Sequence, residues 1–248
     1  MGINIKIMGV EKIKEKVLIT GGNRGLGYEL VKVFLRNGYE VFAVVRSIEG
    51  KGKLEKEFKE NCYPIVADIS SDDSIKIIKS TLTKYTDQID ILINNAGITA
   101  KEHEIMKVTT NEMSNLFHIH CLGVVRTVQA TLEMLYNSKN PRIINVSSRL
   151  GSLTKMASGE FKGRNFSYSY RIAKAAQNML TICLDQELRD KGIYLGAIHP
   201  GKLKTNMAAS DADMNPSEGA NNIYNWVSSL KVKDRVEFVQ PLVNELEW

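Results

Sequence analysis

Short apolar runs alternate with longer amphipathic ones along almost the whole chain, and this alternation most restricts the fold. Lys16–Thr20 (KVLIT), Glu40–Val45 (EVFAVV), residues 63–67, residues 89–93 (IDILI), Arg142–Val146 (RIINV) and residues 193–198 read as strands. They are rich in β-branched residues and apolar almost throughout, as strands buried on both faces are. Between them lie helical patterns. Residues 25–37 carry Leu26, Leu30, Val33 and Phe34 at helical spacing, and Gly38 closes that helix. A Lys/Glu-rich helix follows the second strand. Ser71 or Asp72 caps a helix with Ile75, Ile78 and Leu82 on one face. Residues 111–136 and 170–190 are two long helices, and residues 234–239 are a weak last strand. The pattern predicts an α/β chain with one doubly wound parallel sheet covered by helices on both sides. No repeat or low-complexity linker divides it, so residues 16–248 read as one domain behind an extension of residues 1–15.

Composition narrows the class. The 248 residues are 43% hydrophobic and 25% charged, which excludes global disorder. Cys62, Cys121 and Cys183 are widely separated and give neither a disulfide framework nor metal-ligand spacing, so no metal is expected. No run approaches the ~18 apolar residues of a membrane span. The first sixteen residues lack the apolar stretch of a signal peptide. A cytoplasmic protein is the simplest expectation. The 33 basic and 28 acidic residues leave a net +5. Glu49, Glu55, Glu57 and Glu60 dilute the lysines at 51, 53, 56 and 59, which favours a solvated helix face over a nucleic-acid or membrane surface.

Thr20-Gly21-Gly22-Asn23-Arg24-Gly25-Leu26-Gly27 follows the first strand and opens the first helix. In that context glycines permit a tight turn and close backbone approach to a pyrophosphate, and the helix N-terminus offers unpaired N–H groups. Asn94-Asn95-Ala96-Gly97 closes the fourth strand, Ser147-Ser148 the fifth, Tyr170-x-x-x-Lys174 opens the second long helix, and Pro200-Gly201 with Thr205 follows the sixth strand. Together these motifs resemble the short-chain dehydrogenase/reductase family. The strings SSRLGS, SYRIAKAA and HPG and the terminal Trp248 are most similar to the branch of C-factor-like and sniffer-like carbonyl reductases.

The resemblance implies a Rossmann fold and hydride transfer between a nicotinamide cofactor and a small carbonyl or alcohol. Family members that prefer NAD carry an acid at the end of the second strand. Here Arg46 stands there, and Arg24 in the loop adds a second guanidinium, which points to NADPH. The implied cofactor contacts are Gly21, Asn23, Arg24, Gly25, Leu26, Gly27, Arg46, Asp68, Asn95, Ala96, Gly97, Tyr170, Lys174, Pro200, Gly201 and Thr205. Asp68 is a match for the residue that meets the adenine, or else a turn residue.

Tyr170 is the expected proton donor. A lysine four residues on lies one turn away, and its charge together with the oxidised nicotinamide should lower the phenol's pKa. Ser148 would hold the substrate oxygen. Ser147 and Tyr168 compete by proximity, but the family pattern selects their neighbours.

Two features depart from that pattern. His120 stands where many members have an asparagine in a proton relay, and it is read either as a relay member or as an interior residue. The serine-to-tyrosine spacing is long, and residues 155–165 read as an extra loop near the pocket mouth. Residues 202–218, with Met207 and Met214, read as the substrate loop. Three functions stay open: an NADPH-dependent carbonyl reductase, an NADP-dependent alcohol dehydrogenase of a biosynthetic pathway, and a nucleotide-binding regulator with little turnover. The family implies a homodimer or homotetramer paired through the two long helices, and its closest branch also contains monomers.

Overall fold

The computed structural model describes residues 14–205, 212–230 and 235–248. Among these, eight strands form one sheet: β1 (Lys16–Thr20), β2 (Glu40–Val45), β3 (Cys62–Val66), β4 (Ile91–Asn94), β5 (Arg142–Val146), β6 (Tyr194–Ile198), β7 (Glu237–Gln240) and β8 (Asn244–Glu245). Their order is β3-β2-β1-β4-β5-β6-β7-β8. The first seven pair in parallel, and β8 closes the far edge antiparallel to β7.

Side chains of a strand alternate between faces, and β1 feeds two cores. Val17 and Ile19 pack on one face with Leu30 and Phe34 of α1 (Gly25–Arg36) and Ile223 of α8 (Pro216–Ser229). Leu18 packs on the other with Ile78 of α3 (Asp73–Leu82) and Val128 of α5 (Gly123–Tyr136). Alternate faces of one apolar strand thus satisfy both layers, which is why β1 reads as a continuous apolar run.

Several boundaries differ from the expectation, each for a local reason. Gly38 follows α1 at φ +84°, so the helix stops within two residues. The fourth strand begins at Ile91 rather than residue 89. Asp90 keeps backbone hydrogen bonds to Lys16 and Arg142 on either side, and its carboxylate also accepts from the Lys16 amide at 2.7 Å and from Ser138 Oγ at 2.6 Å. Pro64 lies in β3, where an edge position tolerates the missing donor. Asp72 does not cap α3. Its carboxylate accepts from Arg126 Nε at 2.6 Å, and Ser71 Oγ accepts from the Asp73 amide at 3.3 Å.

The segment 111–136 is not one helix. α4 (Thr110–Phe117) runs into a π-helical turn, His118–Leu122, before α5. The second long helix, α7 (Tyr168–Leu188), starts two residues early because Ser167 Oγ accepts from the Tyr170 amide at 3.2 Å. Residues 155–165 contain the end of α6 (Leu153–Ala157) and turns that bury Phe161. α8 was not foreseen, and the loop reading of residues 202–218 runs over its start. Residues 1–13, Met207 and the first residue of the expected strand 234–239 lie outside the described residues.

The order reverses between β1 and β4. Their carboxyl ends, and the segments that follow, bound the crevice where doubly wound sheets bind ligands. No helix among the described residues is long and apolar enough to cross a membrane. No cluster of three or more His, Cys, Asp or Glu among them could hold a metal.

Candidate active site

The crevice begins with the glycine-rich loop. Gly21 (φ +72°) and Gly25 (φ +53°) take left-handed backbone conformations. A Cβ on Gly27 would lie 2.1 Å from the Gly21 carbonyl oxygen and 2.5 Å from Asn95 Nδ2, so only glycine lets α1 start against the loop. Thr20 ties in the segment after β4. Its Oγ1 accepts from the amides of Asn95 (3.0 Å) and Ala96 (2.9 Å), and its carbonyl accepts from Asn95 Nδ2 at 2.9 Å. Loop and crevice wall are one hydrogen-bonded unit.

The other loop residues divide by role. Leu26 is buried in the core, so a ligand could reach only its backbone. The Asn23 carbonyl accepts from Lys53 Nζ at 3.2 Å and joins the loop to α2 (Ile48–Glu57). Arg24 and Arg46 are both exposed, and neither makes an ion pair with a described residue. The exposed Asp68 carboxylate accepts from the Ser70 amide (2.9 Å) and hydroxyl (2.7 Å), so the turn role is realised. Gly201, at φ +94°, packs against Met214. The Thr205 methyl lies 3.7 Å from where a Gly25 Cβ would stand, which brings the segment after β6 onto the glycine loop.

Ser148 and Tyr170 meet by a side-chain hydrogen bond. Ser147 is taken elsewhere: its hydroxyl donates to Asn178 Oδ1 at 2.5 Å. Tyr168 lies under the Arg171 guanidinium, 5.0 Å from its ring centre. Ser147 and Tyr168 are thus engaged away from the contact that joins Ser148 to Tyr170.

Lys174 follows Tyr170 by one helical turn, with Nζ 5.8 Å from the centre of the phenol ring. It is buried, and its ammonium donates to the Val146 carbonyl at 2.7 Å and to Gln177 Oε1 at 3.0 Å. Burial pushes it down to about 7. The Tyr170 phenol is pushed up to about 12 by burial, against the hydrogen bond with Ser148. Desolvation dominates at the phenol, beside a lysine that is itself held by neutral carbonyls, whereas the expected depression includes the charge of an oxidised nicotinamide.

His120 is buried on the π turn. Its Nε2 lies 2.8 Å from the Ile98 carbonyl and 3.3 Å from the Ile98 amide; with the proton assigned to Nε2 it donates to the carbonyl, and Nδ1 is buried with no partner among the described residues. Burial, then the nearby Lys174 charge, push the imidazole down to about 3, against the Ile98 hydrogen bond. The ring is neutral at pH 7 and offers an acceptor at Nδ1, not an acid. It stands edge-on to Tyr170 with ring centres 5.5 Å apart, and a Cβ on Gly97 would lie 2.6 Å from its Cε1. The ring bridges the crevice wall and the tyrosine.

The model for the family described as short chain dehydrogenase matches residues 15–216. The chain belongs to that family. The short-chain dehydrogenase fold is also found in carbonyl reductase Sniffer of D. melanogaster, 30% identical, with a TM-score of 0.85 over 95% of this chain and 100% of that one. An NADPH-bound carbonyl reductase from chicken fatty liver is 29% identical, with the same TM-score over 95% of this chain and 99% of that one. The C-signal protein of Myxococcus xanthus is 29% identical over 66% of this chain and 95% of its own length.

Against that family pattern the structure adds two residues that motif reading missed. Arg126, buried on α5, donates to the carbonyls of Ile69 (3.0 Å) and His118 (3.3 Å) while pairing with Asp72. It anchors the π turn that carries His120. Gln177 is the other, because the YxxxK string ends before it. Its place three residues after the lysine, on the same helix face, was the available signal.

Proposed function

We propose that this chain is an NADPH-dependent oxidoreductase that reduces a small ketone or aldehyde. The observation that carries the reading is the contact chain Ser148–Tyr170–Lys174, tied through His120 to Gly97 of the crevice. The residues present fit a dinucleotide. Gly21 and Gly25 form a left-handed cradle, a side chain at Gly27 would fill space the loop needs, and Thr20 holds Asn95 and Ala96 beside it. In this reading Arg24 and Arg46 take the 2′-phosphate, because β2 ends without an acid and both guanidinium groups lack an ion-pair partner among the described residues. Two structural relatives are carbonyl reductases, one with NADPH bound, which supports the same choice.

NADPH held by these residues would supply the hydride for the carbonyl carbon. Ser148 hydrogen-bonds the carbonyl oxygen and steadies the charge that develops on it. Tyr170, protonated at neutral pH, donates its proton to that oxygen. Lys174 would hold the nicotinamide ribose and stabilise the tyrosinate left behind. His120 lies behind the tyrosine with Nδ1 open, and we read it as the acceptor in the path that returns a proton. The fold and this set would also run the reverse oxidation, and NADPH selects reduction as the direction. The partners are small molecules. If copies of the chain pair, the exposed Phe117, Ile172 and Met179 on α4 and α7 are the apolar groups they would cover.

The test is NADPH oxidation over a panel of ketones and aldehydes. Wild type should turn over at least one, and Tyr170→Phe should slow it about 10²- to 10⁴-fold while NADPH still binds. Equal inertness of both proteins, with NADPH bound, would leave a nucleotide-binding regulator.

A further inference from the structure

An ammonium has three N–H groups and no acceptor. In Lys174, which is 4% exposed, two of them are committed to the protein: one to the Val146 carbonyl at 2.7 Å and one to Gln177 Oε1 at 3.0 Å. The third is what remains for the crevice, where Tyr170 lies. Gln177 is 1% exposed. Burying an amide there is unfavourable unless it is hydrogen-bonded, and the lysine is the partner its oxygen finds. That assignment of the amide is forced, since an ammonium can face only the oxygen.

Gln177 is also held in place. Its backbone carbonyl accepts from Thr181 Oγ1 at 2.8 Å, and that hydroxyl accepts from Asn145 Nδ2 at 2.9 Å. Asn145 Oδ1 accepts from Asn94 Nδ2 at 2.8 Å, and Asn94 Oδ1 accepts from Thr127 Oγ1 at 2.6 Å. This buried ladder fixes the turn of α7 that carries Gln177 to β5, β4 and α5. The titratable groups that face Lys174 are Tyr170 from α7 and His120 from the π turn, while β5 presents only the Val146 carbonyl and α7 the Gln177 amide.

We propose that Gln177 is a positioning residue: its side-chain oxygen orients the Lys174 ammonium and keeps it charged in a dry site, so that one N–H stays aimed at the crevice. The inference rests on the proposed reaction for its catalytic meaning, but not for its physical content. Desolvation favours the neutral amine, and the amide oxygen opposes it. Removing the oxygen at constant shape should therefore make Lys174 lose its proton at lower pH. Replacing the amide by a carboxylate should make it keep the proton to higher pH.

The experiment follows Lys174 directly, by the pH dependence of its 13Cε resonance in lysine-labelled, ligand-free protein, assigned by its loss in Lys174→Met. Gln177→Met should lower the midpoint by about one pH unit, a tenfold change in the proton-binding constant, and Gln177→Glu should raise it by at least as much. Gln177→Asn provides a third variant if Met disturbs folding, and it too should lower the midpoint because its shorter arm loses the contact. Opposite shifts for Met and Glu cannot come from packing alone. Midpoints that stay put, or move the same way in both, would overturn the proposal. The pH profile of kcat/KM for NADPH-dependent reduction should move with the midpoints. Moved midpoints with no carbonyl reduced would sink the proposed reaction and leave the positioning role. Reduction with unmoved midpoints would do the reverse.

Discussion

At the scale of single residues, the most discriminating side chain is Arg46. It is exposed just after β2 and makes no ion pair with a described residue, so no ion pair among the described residues accounts for it. A guanidinium at that point matches a phosphate and repels nothing in NADH, whereas a carboxylate there would accept from ribose hydroxyls and repel a 2′-phosphate. Charge-assisted hydrogen bonds contribute about 1.5–3 kcal/mol each. Arg46→Asp should therefore shift the ratio of kcat/KM for NADPH over NADH by roughly ten- to a hundredfold or more towards NADH. Parallel initial-rate measurements with the two cofactors decide this, and an unchanged ratio would remove Arg46 from the site.

At the scale of elements, the π turn does what a regular helix could not. One extra residue in the turn at His118–Leu122 presents His120 to the wall after β4, and Arg126 secures the turn by donating to the His118 carbonyl. The fit is tight at Gly97. Gly97→Ala would bring a methyl group within 2.6 Å of the imidazole Cε1, so the ring or the turn must move. We expect a loss of roughly 1–3 kcal/mol in stability. The same methyl should be tolerated in the His120→Ala background, because the ring that clashes is gone. Urea unfolding of the two single variants and the double variant measures the coupling. Simple additivity would mean that the contact is not what restricts position 97. Turnover by His120→Ala gives the second reading: slowed reduction with intact NADPH binding fits a proton path, and unchanged turnover leaves only packing.

The elements also show what the sequence could and could not carry. The glycine loop, the NNAG segment and YxxxK were legible because each is contiguous and its chemistry is local. The π turn was not, since it is a matter of backbone spacing that leaves the apolar pattern of residues 111–136 unbroken. The Arg126–Asp72 pair joins residues far apart in the chain, and neither has a local signature. α8 was missed although Ala220, Ile223 and Val227 keep helical spacing, because Asn221, Asn222 and Asn225 between them read as loop. The one-turn spacing of Tyr170 and Lys174 was legible, but the burial that pushes the phenol up and the ammonium down is a tertiary fact that no local spacing carries.

At the scale of the whole molecule, this way of building a site makes the fold sensitive to acid. Two histidines are buried with an Nδ1 that has no partner among the described residues, one on the π turn and one just after β6. Burial, then Lys174, hold His120 at about 3. Burial, then Arg149 and Lys202, hold His199 at about 4. In the unfolded chain both would titrate near 6.5. Below that pH the unfolded state binds protons that the folded state refuses, so stability falls as pH drops, by about 1.4 kcal/mol per pH unit for each histidine. The His199 contribution levels off near pH 4 and the His120 contribution near pH 3. Glu112, held below the usual carboxylate range chiefly by the Ser169 hydroxyl, adds its loss only at the lower end of that range. Urea midpoints between pH 7 and 4.5 should decline steeply in wild type. They should decline less in His120→Asn and in His199→Asn, and least in the double variant. Parallel slopes in all four proteins would mean that both rings take up protons in the folded state, and that the dry crevice inferred from their burial admits water.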